Sequence, residues 1–481
     1  RVTGKVGVCA VTSGPGATNL ITGIATAFAD SIPMVCITGQ VKSEQLGSDV
    51  FQEADITGAV ESFVKYSYLV KDAEDIPRIF KEAFYIANSG RKGPVLIDVP
   101  IDIQNAAVRN FKYPDEVNIR AYKPTIKGHS VQIKKVIKEL QKAKKPIICA
   151  GGGVHLSDAV SGLREFAHKH RIPVVSTMMG IGVMPTEDPM YFGMVGNNGK
   201  AFANRAMNES DLLVMVGVRV ADRAIAQPDL IMTSKTLVHI DVDPAEIGKN
   251  VDPSIPLVGD AMHIFEDFAK EEFECEHEDW IRTLEGYRET MVQKRNPNPG
   301  YVDPAAFITM LSNEMKEDAV YVADVGQNQI WSCNYHIVKG GRFLTSGGMG
   351  TMGYSIPAAM GAKRGDMDRQ VIAVCGDGSF QMSMMELATI MQHHIPVKII
   401  VIKNNYLGMV REFQHYTYKD NYSVVDIKDG TPDLEKLAAA YGIPFIRVAD
   451  MSHAQDKIKE FLAEDNTMLM ECLVDPMDLV K

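Results

Sequence analysis

VIAVCGDGSFQMSMMELATIMQHHIPVKIIVIKNN, residues 371–405, holds two short apolar runs separated by a helical pattern. Val371–Cys375 is apolar, short and followed by glycine, the mark of a buried parallel strand. Met384, Leu387, Ala388 and Met391 then recur at helical spacing, and a second apolar run, Val397–Ile402, ends at Lys403, Asn404 and Asn405. This predicts one β-α-β unit. Its right-handed crossover makes the strands parallel, with both carboxyl ends on one edge. Asp377 and Asn404 therefore emerge where open α/β sheets bind ligands. A carboxylate and an amide oxygen form a hard-oxygen pair suited to Mg²⁺, which completes its octahedron with phosphate oxygens and water. Gly376 and Gly378 allow a sharp turn and close approach of a diphosphate. The helix N-terminus opening at Ser379 favours the same anion. The alternative is Asp377 as a plain helix N-cap on an ordinary turn.

The alternation of apolar runs and amphipathic stretches continues in three blocks, as expected for α/β architecture with parallel sheets. The first holds VGVCAVT, MVCITG and GPVLIDVP and ends in the polar, aperiodic IDIQNAAVRNFKYPDE. The second opens on the helical HSVQIKKVIKELQKAKK and runs through PIICAGGG, IPVVSTM, DLLVMVGV and TLVHIDVDP. The Pro-, Asn- and Gly-dense KRNPNPGYVDP reads as a linker into the third block. The 481 residues suit roughly three domains of about 150 residues. A net charge of −11 argues against a general nucleic-acid binder. No apolar run reaches the ~18 residues of a membrane span. Seven dispersed cysteines without a CxxC pair read as buried free thiols of a reducing cytoplasm.

The GDG…NN stretch resembles the thiamine-diphosphate motif. TSGPGATN, ITGQV, FQEAD, GPVLIDVP, DVGQNQIW, GGMGTMGY and YLGMV, in that order along the whole chain, resemble the acetohydroxyacid (acetolactate) synthase catalytic-subunit family. The resemblance implies three doubly wound parallel-sheet domains: pyrimidine-binding over 1–110, central FAD-binding over 125–290, and diphosphate- and Mg²⁺-binding over 303–481. It implies decarboxylation of pyruvate and ligation of the two-carbon unit to a second 2-keto acid, giving 2-acetolactate or 2-aceto-2-hydroxybutyrate on the route to branched-chain amino acids.

The same resemblance assigns residues. Asp377, Asn404 and the main-chain oxygen of Tyr406 would hold Mg²⁺; Lys403 stands where the family has its first Asn. Gly376, Gly378, Ser379 and Gln327 would face the diphosphate, with Asn328 in place of a common His. Gly350 and Met352 would lie against the cofactor, Met352 as the buttress that bends it. Pro15 and Asn19 would approach the pyrimidine ring of a cofactor held by a partner copy, so a homodimer is the minimum assembly; a small regulatory subunit is a further expected partner. Gln52 would contact reaction intermediates. Arg91, Gly151, Gly152, Gly153, Thr177, Arg219, Asp241 and Asp260 would hold FAD, whose role is structural because the reaction has no net redox change. Arg223 would grip the second keto acid's carboxylate, a task that suits a guanidinium fork, beside Met194 and Phe413. Bland readings stand next to these: a helix cap for Gln52, a surface ion pair for Arg223, and a Gly-rich turn without a full GxGxxG for CAGGGV.

Three positions depart from the family. Ile101 replaces a usual Lys, Lys42 a common Pro, and Phe413 a Trp that favours the larger second substrate, so preference for 2-ketobutyrate should weaken. The family's activating glutamate precedes the RVTGK stretch at Arg1, and neither Glu53 nor Glu386 replaces it. The expectation is a piece of a longer polypeptide, truncated at both ends, whose own activity is absent or severely reduced. The competing readings are a flavin-dependent pyruvate oxidase, a glyoxylate carboligase, and a non-catalytic scaffold or regulatory relative.

Overall fold

Three parallel sheets succeed one another along the chain in a computed structural model that describes residues 1–225, 228–232, 235–292 and 295–480. The first contains β1 (Gly7–Val11), β2 (Met34–Gln40), β3 (Tyr66–Leu69) and β4 (Pro94–Pro100), in the order β1-β2-β4-β3. The second contains β5 (Pro146–Ala150), β6 (Val174–Ser176), β7 (Tyr191–Met194), β8 (Leu212–Val216), β9 (Thr236–Asp241) and β10 (Ile255–Val258), in the order β10-β9-β8-β5-β6-β7. The third contains β11 (Val320–Ala323), β12 (Arg342–Leu344), β13 (Val371–Gly376), β14 (Lys398–Lys403), β15 (Phe445–Val448) and β16 (Met468–Leu473), in the order β12-β11-β13-β14-β16-β15. The all-parallel α/β architecture expected from the alternating pattern is therefore present. Central strands such as β5 and β11 are buried along their whole length, which explains why they read as unbroken apolar runs. β1, at an edge, is half-buried or exposed throughout.

In each six-stranded sheet the chain leaves a central strand in one direction and returns on its other side. These reversals lie between β5 and β8 and between β11 and β13. Such points open a crevice at the carboxyl ends of the strands. The turns bordering the first crevice cross closely. A Cβ on Gly151 would stand 2.1 Å from the Gly217 carbonyl oxygen, and one on Gly153 would stand 2.6 Å from the Gly217 Cα. The Gly151 N–H donates to the Val216 carbonyl and the Gly153 N–H to the Gly217 carbonyl, at 2.9 and 3.1 Å. CAGGGV is thus built first to let two backbones touch.

Two local readings change. The single helix expected from Met384, Leu387, Ala388 and Met391 is two, Asp377–Ser383 and Glu386–Gln392. The Leu387 and Ala388 N–H groups reach back only three residues, to the Met384 and Met385 carbonyls, each at 3.1 Å. That 3₁₀-type tightening breaks the rod. The Pro- and Asn-rich linker is fastened rather than free. Arg295 pairs with Asp478 at 2.6 Å and Asp303 at 3.3 Å, and the Asp303 carboxylate caps the helix Pro304–Glu314. Lys294, the first basic residue of that stretch, lies outside the described residues. All seven cysteines are free, five of them buried, which matches the thiol reading.

Gly151→Ala should lower stability by about 1–3 kcal/mol, since the added methyl meets backbone rather than a movable side chain. Gly23→Ala, at an exposed position of the helix Ile21–Ala29 with open space around it, is the control that should be neutral or slightly stabilising. Urea unfolding midpoints distinguish them, and equal midpoints would contradict the crossing-turn account.

Candidate active site

β11, β13 and β14 deliver the central residues. Gln327 starts the helix after β11, Asp377 starts the helix after β13, and Asn404 follows β14. The register pairs Gly376 with Ile402, which brings the two strand ends side by side. Asp377 is not the N-cap; Gly376 holds that position, and the Asp377 carboxylate turns toward β14. One carboxylate oxygen accepts the Gly378 N–H at 3.0 Å and the other accepts the Asn405 N–H at 2.5 Å. The Asn404 amide oxygen accepts the N–H of Tyr406, two residues on, at 2.9 Å. The carboxylate and the amide oxygen are thus bound by consecutive backbone amides of one turn.

Asp377 and Asn404 are 2% and 7% exposed. Burial pushes the Asp377 carboxyl up to about 6, against the opposing pull of the Asn405 and Gly378 amides. Lys403, whose charge also opposes the shift, is itself paired with Glu471 at 2.9 Å. Among the described residues no three His, Cys, Asp or Glu side chains cluster as a metal site. A cation here would therefore take one carboxylate, amide and main-chain oxygens, and phosphate oxygens, the hard-oxygen mixture that suits Mg²⁺. A buried acid that no cation among the described residues contacts fits that demand.

The turn around Asp377 is built for close approach. A Cβ on Gly378 would meet a Leu407 methyl at 2.8 Å and the Met352 methyl at 3.6 Å, so Met352 sits against the Gly-Asp-Gly turn. The Ser379 hydroxyl bonds back to Gly376. The loop carrying Gly350 and Met352 hangs on a buried acid: the Asp324 carboxylate accepts the Gly353 and Ser355 N–H groups at 3.0 and 2.8 Å. Asp30, from the first sheet's side, accepts the Gly348 N–H at 2.7 Å. Gln327 is committed: its amide NH₂ faces Glu412 and the Asp478 carbonyl, and its oxygen faces Asn404. Asn328 donates to the Asp324 and Val374 carbonyls.

A cavity of about 450 Å³ lies where the second sheet's crevice meets this loop. Gly152, Gly153, Thr177, Arg219, Asp241 and Asp260 line it, Arg91 closes one side, and Gly151 lies behind at the crossing turn. Met194, Arg223 and Gly350 line the same space. Arg91 is tied to Glu246 and Asp243 at 2.8 and 3.3 Å. Burial pushes Asp241 up to about 6. The Asp260 carboxylate caps the helix Ala261–Phe268. Arg223 is largely exposed, 3.9 Å from Asp222.

The remaining expected residues stand elsewhere. Pro15 and Asn19 are exposed on the first sheet's side. Gln52 adopts φ 62°, a strained conformation for a side-chain-bearing residue, with its Cβ 2.9 Å from where a Gly14 Cβ would be. A second cavity, about 870 Å³, is lined by Ser13, Lys42, Phe51 and Ile101. Phe413 is exposed and packs edge-on against Tyr418 at 5.8 Å. Sequence reasoning missed Asp324, Gly408 and Glu412. Gly408 lies inside the YLGMV motif, so a signal existed; a lone Glu in a helix such as Glu412 gives none.

Three family models match: the N-terminal thiamine pyrophosphate binding domain over residues 1–59, the thiamine pyrophosphate enzyme central domain over 133–268, and the C-terminal thiamine pyrophosphate binding domain over 324–472. The acetolactate synthase large subunit of Haemophilus influenzae is 41% identical over 480 residues, covering 98% of this chain and 83% of that protein. An acetolactate synthase of Arthrospira platensis is 41% identical over 491 residues with the same coverages. The large subunit of Lactococcus lactis is 39% identical over 484 residues, covering all of this chain and 83% of its own length.

A carboxyl whose folded-state pKa lies above its unfolded value stabilises the fold only while protonated. The Asp377 contribution is full below about pH 4, fades as the pH rises to about 6, and the buried charge is a standing cost above that. Asp377→Asn keeps an acceptor for the Asn405 N–H and removes the charge. It should abolish Mg²⁺-dependent affinity for thiamine diphosphate, while the metal-free protein at pH 7–8 melts at the same or a higher temperature. Unchanged Mg²⁺-dependent affinity would remove the assignment.

Proposed function

This chain belongs to the acetolactate synthase large-subunit family of thiamine-diphosphate enzymes, and from that membership we infer how its residues divide the work. The family activity is decarboxylation of pyruvate and ligation of the two-carbon unit to a second 2-keto acid, in branched-chain amino acid biosynthesis. The similar chains are acetolactate synthases, which favours acetolactate formation over the reactions of a pyruvate oxidase or a glyoxylate carboligase and over a scaffold.

Thiamine diphosphate supplies the electron sink for loss of CO₂. In our reading Asp377, Asn404 and the Tyr406 carbonyl hold Mg²⁺ against its diphosphate, with Gly376, Gly378 and Ser379 leaving room for the phosphate oxygens. Met352 presses on the cofactor from the Gly350 loop. Arg223 takes the carboxylate of the second keto acid, with Met194 and Phe413 shaping its side-chain pocket, and Gln52 meets the reacting groups. Pro15 and Asn19 serve the site of a second copy, a reading supported by their exposure on the first sheet's side. The name large subunit on the similar chains supports a smaller regulatory partner. No helix among the described residues is long and apolar enough to cross a membrane, and we place the enzyme in the cytoplasm.

One observation supports FAD in the 450 Å³ cavity: the Gly-rich crossing turn, the half-buried Arg219 guanidinium and the Asp241 and Asp260 carboxylates converge there with Arg223 and Gly350. Backbone amides and Arg suit a pyrophosphate, and carboxylates suit ribose hydroxyls. The same wall thus links a flavin to the keto-acid site, as a structural cofactor.

Titration with FAD should quench flavin fluorescence on binding, and Arg219→Ala should weaken that binding at least about tenfold, the loss of one charge-assisted contact. Pyruvate should leave the bound flavin oxidised. A chain that binds no flavin, or whose flavin bleaches with pyruvate, contradicts the reading.

A further inference from the structure

The orientation of an amide side chain is set by the polarity of its neighbours, and Asn404 needs its oxygen, not its NH₂, on the side it shares with Asp377. Three groups settle this in series. The Asp478 main-chain carbonyl can only accept, and it lies 3.2 Å from Gln327 Nε2; the Glu412 carboxylate accepts from the same nitrogen at 2.9 Å. The NH₂ end of Gln327 therefore points to Glu412, and its oxygen points to Asn404. That oxygen accepts from Asn404 Nδ2 at 3.1 Å. The Asn404 oxygen is left facing the Tyr406 N–H, which can only donate, at 2.9 Å. Both ends of the chain impose the same polarity.

All three side chains are buried: Gln327 5%, Asn404 7% and Glu412 8% exposed. Gly408 and Glu412 lie one turn apart on the helix Gly408–Tyr418, so that helix presents first a gap and then an acid to the relay. The gap is needed, because a Cβ on Gly408 would stand 2.0 Å from the Gln327 oxygen and 2.8 Å from Asn404 Nδ2. Glu412 also accepts the Val480 N–H at 3.0 Å, which holds its carboxylate in place.

We propose that Glu412 is a positioning residue for the divalent cation. Through Gln327 it holds the Asn404 amide in the one orientation that offers oxygen to a metal shared with Asp377. The proposal rests on the cofactor-site reading above. It assigns Gln327 a second task, orienting a metal ligand, beside any contact with diphosphate.

The test is a Mg²⁺ titration at fixed thiamine diphosphate, read by tryptophan fluorescence; Trp331 lies in the helix that Gln327 begins. Glu412→Met removes the acceptor at similar length and should raise the Mg²⁺ half-saturation about tenfold, as loss of an outer-shell partner does. Glu412→Gln keeps an acceptor oxygen without charge and should recover most of that loss. Gly408→Ala should weaken Mg²⁺ at least as much as Glu412→Met. Metal-free melting temperature and near-UV circular dichroism are recorded for each variant. Recovery by Gln with metal-free folding preserved supports the relay. Unchanged or tighter Mg²⁺ binding in Glu412→Met, or no recovery by Gln, overturns it, as does a loss of Mg²⁺ affinity that only follows a loss of metal-free stability. Wild-type protein whose cofactor binding ignores Mg²⁺ would overturn the cofactor-site reading itself.

Discussion

Everything at the carboxyl edge of the third sheet depends on a carboxylate placed in the interior with no cation in contact among the described residues. An ionised acid out of water is costly unless it is paired and hydrogen-bonded. Asp377 has hydrogen bonds from two backbone amides and the distant field of Lys403, and its carboxyl is still pushed up to about 6. A divalent ion removes that cost and gains a ligand. The same ion brings a diphosphate to the Gly376–Gly378 turn, where the helix N-terminus already favours an anion. In this account the cofactor, the glycines and the Asn404 relay are all consequences of one buried negative charge.

Stabilisation of the surroundings follows the same logic of buried acids answered locally. Asp324 is satisfied by the amides of the Gly353–Ser355 turn and so fixes the loop that carries Met352. Asp30 does the same for Gly348 from the first sheet's side. Glu471, 1% exposed, is held between Lys403 and Arg447 at the ends of β14 and β15. Asp377 differs from these three in having no complete answer from the protein.

How much of this was legible follows from which interactions are local. β13 and the Ile399–Ile402 stretch of β14 are apolar because both faces are covered, and right-handed crossovers then force Asp377 and Asn404 to one edge. That inference needs no knowledge of side-chain packing. The three parallel sheets were legible for the same reason. The helix break at Met384–Met385 was not, since the apolar spacing survives a 3₁₀ turn. The left-handed Gln52 was hidden because no local pattern announces it, and the Gly14 it lies beside is distant in sequence. Glu412 was invisible because its meaning depends on Gln327 and Asp478, which a third sheet folded from distant segments brings to it. Arg223 and Gly350 share a wall with the Gly-rich turn only through the meeting of two domains.

The central claim is that one cation is shared by the Asp377 carboxylate and the Asn404 amide oxygen. A crystal structure grown with Mg²⁺ and thiamine diphosphate tests it most directly. The account predicts one octahedral ion at about 2.0–2.1 Å from an oxygen of each side chain and from diphosphate oxygens. An ion bound to the diphosphate but out of reach of either side chain, or an Asn404 that turns its NH₂ toward it, would contradict the account.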